Sequence, residues 1–152
     1  MIEKRIEELG YKLPEAQIPK YKFTTVLVYD GTAHVSGTLP FVDGKLPMVG
    51  KVGDTVSIEE GQKLAEICVL NMLANLKGEI GSLDKVKQIV KVTGFVASAT
   101  GFSKQAIVMN GATDLLVDIF GEKGVHARSA VGAAVMPRNT PVEIEMTVAL
   151  EE

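Results

Sequence analysis

The 152-residue chain contains no tryptophan, one cysteine and two histidines. It also has no apolar stretch approaching the ~20 residues that a membrane-spanning helix needs. The lone Cys68 excludes an internal disulfide and suits a reducing compartment. Cys68, His34 and His126 lack metal-ligand spacing, so no metal site is expected. Sixteen basic against nineteen acidic residues leave a formal charge of −3, and Lys/Arg blocks are absent. A nucleic-acid partner is therefore not expected. Three tyrosines and five phenylalanines offer few platforms for stacking bases. The charged, amphipathic stretch from Met1 to Leu9 lacks the apolar centre of a signal peptide. These absences point to a cytoplasmic protein without membrane contact, and the length suits one domain spanning 1–152.

What is present reads as an α+β domain. Residues 1–9 have a helical pattern ending at Gly10, and Pro14 and Pro19 mark an extended linker to residue 20. Runs over 23–29 and 33–37 flank Asp30-Gly31, a hairpin signal. Residues 39–55 are loop. Ser57 with Glu60 forms a capping-box signature for a helix to about Lys77, burying Leu64, Ile67, Cys68, Met72 and Leu76, with Gly78 and Gly81 ending it. A strand follows over 86–98, with Val90, Val92 and Val96 expected on one face and Ile89 and Phe95 on the other. A second helix covers 104–120, and strands over 126–135 and 141–150 close the chain. Two main helices cover one face of a mixed sheet, so a second copy of the chain is expected over the other.

Arg128 stands alone in a run of small residues where a strand would pack, and a cation there needs an anion. Pro141–Leu150 alternates Val142, Ile144, Met146 and Val148 with Glu143 and Glu145. With residues 136–140 taken as a turn, a hairpin would bring Arg128 near Glu145 and Ala130 near Glu143. Two readings follow: a cross-strand ion pair of about 0.2–1 kcal/mol, or a hollow beside Ala130, Gly132 and Ala134 in which the guanidinium grips a substrate carboxylate bidentately. His126 shares Arg128's face and either lines that pocket or caps the strand. Ser129 points the other way, so a Ser-His nucleophile is not expected. The Gly50–Thr55 segment lacks the ending and flanking elements of a phosphate loop.

Four segments carry a family resemblance: Val35-Ser36-Gly37-Thr38-Leu39-Pro40, Lys91-Val92-Thr93-Gly94-Phe95-Val96, His126-Ala127-Arg128-Ser129-Ala130-Val131 and Val142-Glu143-Ile144-Glu145. They make the chain resemble the Rid family, enamine/imine deaminases typified by RidA and formerly labelled L-PSP endoribonuclease. The 39–55 loop and the segment from Asn110 to Leu116 resemble a longer, YjgF-like branch of it. The resemblance implies a chorismate-mutase-like fold, a homotrimer with sites between subunits, and hydrolysis of short 2-imino acids such as 2-iminopropanoate or 2-iminobutanoate without a cofactor. It makes Arg128 the carboxylate-binding and catalytic arginine and Glu143 the residue that places the water. Ser36, Gly37, Ala130, His126, Phe23 and Asn110 are then substrate-binding, with Tyr21 and Thr113 as alternative alignments for the last two. Ala130 replaces the family's usual cysteine. Binding of keto acids without turnover is the alternative function, and ribonuclease activity is a weaker one.

Overall fold

A computed structural model describes all 152 residues. Helix α1 (Ile2–Glu8) is followed by β1 (Val26–Tyr29), β2 (Thr32–Thr38), α2 (Ile58–Ile80), β3 (Val86–Ala97), α3 (Gln105–Phe120), β4 (Ala127–Ala133) and β5 (Val142–Leu150). Asp30 and Gly31 both take positive φ, 52° and 75°, the twist that a two-residue hairpin requires. The capping box at α2 is formed: Glu60 N–H donates to Ser57 Oγ, and Ser57 N–H to Glu60 Oε1. That helix continues past Gly78 and stops at Gly81 (φ 89°), the second of its two expected glycines, so that it ends at Ile80, three residues beyond Lys77. An isolated glycine costs a helix only ~1 kcal/mol, which packing readily offsets.

The five strands form one sheet in the order β1-β2-β5-β3-β4. Strand β5 lies between β2 and β3 and is antiparallel to both. Strand β4 runs parallel to β3 on the edge. The hairpin expected between the last two strands is therefore absent. The order β3–α3–β4 is a strand–helix–strand crossover, and such units place their strands parallel. Arg128 aligns with Val92, while Glu145 aligns with Thr93.

Helices α2 and α3 cover one sheet face. Leu64, Cys68, Met72 and Leu76 from α2 meet Val108, Ala112, Leu115 and Ile119 from α3 in one core, which Val92, Val96, Ile144 and Val148 complete from the sheet. Ile67 is only partly buried. A register shift between Ile89 and Lys91 alters the expected alternation on β3. Ile89 and Val92 both face the helices, and Val90 is left exposed. The uncovered face is consequently more polar than expected: Lys91, Thr93, Glu143, Glu145 and Thr147 lie on it beside Phe95 and Val131. No helix is long and apolar enough to cross a membrane.

Candidate active site

Arg128 reaches from the edge strand to α3. Its Nη1 donates to Asn110 Oδ1 at 2.9 Å and to Thr113 Oγ1 at 2.9 Å. Asn110 and Thr113 are three residues apart and so share one helix face. Both hydrogens of Nη1 are thereby committed. Protein acceptors engage neither Nε nor Nη2, and Arg128 has no ion-pair partner. The cross-strand pair with Glu145 does not form, because β3 separates the two strands. What remains free is the Nε/Nη2 edge, the fork that binds a carboxylate with two parallel hydrogen bonds.

His126 stands behind this arrangement rather than beside the free fork. Its Nδ1 lies 2.6 Å from the Gly124 carbonyl and its Nε2 lies 3.1 Å from Thr113 Oγ1. A carbonyl only accepts, so an Nδ1 hydrogen points at Gly124. Thr113 Oγ1 sits between His126 Nε2 and Arg128 and accepts from Arg128 Nη1. Ala130, half-buried, follows Arg128 on the same side of β4 and packs against the core beside Gly94.

Glu143 belongs to a second group. The fully buried Val142 and Ile144 flank it, so alternation turns Glu143 to the face away from the helices. Gly37 lies against it: a Cβ at residue 37 would run into Glu143 Oε2. The need for glycine here is close approach, not an unusual φ. Burial raises the Glu143 carboxyl above the ordinary glutamate range, and the charge of Glu145 adds to the effect. Ser36 Oγ donates to the Thr24 carbonyl at 2.7 Å, tying β2 to the segment that carries Tyr21 and Phe23. Ser36, Gly37, Glu143, Tyr21 and Phe23 all line one cavity of about 1450 Å³.

The chain thus places its eight expected site residues in two clusters. Arg128, Asn110, His126 and Ala130 form one, between β4 and α3; Glu143, Ser36, Gly37 and Phe23 form the other, along β2 and β5. Two strand spacings of ~4.8 Å separate the backbones of β4 and β5, and the side chains of Arg128 and Glu143 leave the sheet on opposite faces. One three-carbon acid cannot touch both within a single chain. Thr113, read from sequence only as an alternative to Asn110, holds Arg128 together with it; their three-residue spacing was the available signal. Cys68 is fully buried, and burial first, then the Glu143 charge, pushes its thiol well up, which suits a structural role. No group of three His, Cys, Asp or Glu side chains is placed to hold a metal.

Residues 3–149 match the family model described as "YjgF/chorismate_mutase-like, putative endoribonuclease". The chain belongs to the YjgF/chorismate-mutase-like family. Its relatives include protein TCP17 of Trypanosoma cruzi, 39% identical over 146 residues, covering 95% of this chain and 91% of that protein. Among solved structures, the protein Atu1372 of Agrobacterium tumefaciens, of unknown function, is 40% identical with a TM-score of 0.92, over 99% of this chain and 92% of that one. A Shewanella oneidensis protein described as "a putative endoribonuclease" is 29% identical with a TM-score of 0.94, over 99% of both chains. The YjgF-like sheet with helices on one face agrees with the α+β, chorismate-mutase-like architecture expected from sequence.

Proposed function

We propose that this YjgF-like protein hydrolyses small 2-imino acids to 2-keto acids and ammonia at sites completed by two copies of the chain in a homotrimer. The observation that carries this reading is the state of Arg128. Two neutral acceptors hold one nitrogen of its guanidinium, no carboxylate neutralises it, and its fork is free. Such a group recognises a carboxylate. The division of the site residues into two clusters supports a shared site, in which Arg128 of one copy faces Glu143 of the next.

In this mechanism the Nε/Nη2 fork of Arg128 binds the substrate carboxylate and fixes the neighbouring C=N carbon. With the substrate protonated as its iminium, Glu143 takes a proton from water as the water oxygen attacks that carbon, giving a neutral carbinolamine. Glu143 returns that proton to nitrogen, the C–N bond breaks and ammonia leaves with the electron pair, while the hydroxyl gives its proton to Glu143 as the C=O bond forms; ammonia then takes that proton as ammonium. Its raised pKa makes the Glu143 carboxylate a better proton acceptor than an ordinary glutamate. Positioning and one proton carrier suffice, so the scheme calls for no cofactor.

Generating 2-iminobutanoate with a threonine dehydratase, and following keto-acid release with and without the protein, tests the reading. Acceleration is expected in the wild type and its loss in Arg128→Ala. Tight binding of keto acids without acceleration would favour the carboxylate-binding alternative, for which Ala130 in place of a polar side chain speaks. Ribonuclease activity, suggested by the family description, is opposed by the net charge of −3 and by the lack of a Lys/Arg block in the sequence.

A further inference from the structure

Arg128 is held by a side chain that is itself held. Thr113 Oγ1 accepts from Arg128 Nη1 at 2.9 Å and lies 3.1 Å from His126 Nε2. A hydroxyl carries one hydrogen and two lone pairs, so with one lone pair given to the guanidinium it still bonds Nε2 in either protonation state of the ring. His126 stands two residues before Arg128 and therefore on the same side of the chain. One threonine of α3 thus serves two side chains that leave this strand in the same direction.

That second contact matters because a helical threonine has a choice. Its competing rotamer turns the hydroxyl back to the carbonyl three or four residues earlier, here Asn110 or Met109. Thr113 makes no such bond; its hydroxyl meets only His126 and Arg128. The far side of His126 is anchored on backbone, with Nδ1 at 2.6 Å from the Gly124 carbonyl. Gly124 ends the short turn Gly121–Gly124 and is buried against α3, where a Cβ would run into the Leu116 carbonyl. The series Gly124, His126, Thr113, Arg128 therefore starts from a backbone group pressed against the same helix that carries Thr113.

We infer that His126 is a positioning residue that acts through Thr113: it holds the hydroxyl on the rotamer that faces Arg128, and so keeps the Nε/Nη2 fork turned toward the substrate carboxylate. The inference rests on the proposed role of Arg128 as the carboxylate clamp and adds the residue that aims it. His126 itself touches no substrate in this arrangement, unlike the substrate contact expected from sequence.

Two amide side chains separate positioning from support of the turn. In His126→Asn the amide falls where Nδ1 was and keeps the Gly124 bond without reaching Thr113, whereas in His126→Gln it reaches Thr113. Calorimetric affinities for 2-oxobutanoate are measured for the wild type, Arg128→Ala, His126→Asn, His126→Gln, Thr113→Val and the double variant of His126→Asn with Thr113→Val, each with a thermal melt. His126→Asn should bind about fivefold more weakly, the loss expected when one neutral hydrogen bond goes, and His126→Gln should retain most of the affinity. On the Thr113→Val background His126→Asn should bring no further loss, because both changes break the same link. Wild-type affinity in His126→Asn, or an undiminished loss on the Thr113→Val background, overturns the inference. Weaker binding by His126→Gln than by His126→Asn, the order that a mere turn support predicts, overturns it too. Binding lost in Arg128→Ala but intact in His126→Asn refutes this inference alone; binding unchanged in Arg128→Ala, or absent in the wild type, refutes the clamp and the inference with it.

Discussion

Replacing Arg128 by lysine keeps the positive charge and removes the fork. In the native protein five N–H groups are divided: two on Nη1 go to Asn110 and Thr113, and three on Nε and Nη2 have no protein acceptor. An ammonium has three donors on one atom, so a lysine reaching Asn110 and Thr113 retains a single donor for substrate. At least one charge-assisted hydrogen bond is lost, worth about 1.5–3 kcal/mol, which lowers kcat/KM by roughly 10- to 150-fold. Misplacement of the imine carbon relative to the water adds to that loss. Steady-state keto-acid release measures the effect, and a thermal melt verifies that the variant remains folded. Activity within about threefold of wild type would refute the carboxylate clamp.

Three further outcomes follow from the same geometry. Thr113→Val removes an acceptor from Nη1 and the hydrogen bond with His126; it should weaken keto-acid binding about tenfold, while Thr113→Ser should restore most of it. Glu143→Gln should lower kcat more than it weakens keto-acid binding, and it should raise the melting temperature at neutral pH. The sign follows from the raised Glu143 pKa: the folded state holds the proton more tightly than the unfolded chain. Stability from this group is thus complete below the unfolded pKa and is lost as pH rises through the folded one. Glutamine removes that loss, so a pH-stability curve for the variant should fall less over this range. Cys68→Ser places a hydroxyl in the apolar core beneath β5 and should destabilise the fold by ~1–3 kcal/mol in denaturant titration; thiol reagents should leave the native wild type active.

Periodicity made both main helices legible, because their apolar stripes are long and α2 carries a complete capping box. Strand positions were legible for the same reason, but their order was not. The turn-like residues 136–140 suggested a hairpin, while the pairing is decided by the crossover through α3, which places β4 parallel to β3 and admits β5 on the other side of β3. That difference changes the chemistry of Arg128. A cross-strand carboxylate would have neutralised it; the observed partners, Asn110 and Thr113, leave the charge available. Local alternation also failed at Val90, where one extra residue shifts the faces of β3.

The sharing of one site by two copies is the central claim, and mixed oligomers test it most directly. On the proposed reading, Arg128→Ala and Glu143→Ala chains should each be inactive alone; unfolded together in equal amounts and refolded, they should form mixed trimers at random. A site that takes Arg128 from one copy and Glu143 from its neighbour is then intact at about one quarter of the interfaces, and the mixture should recover about that fraction of wild-type turnover. A mixture no more active than its two parents would contradict the account.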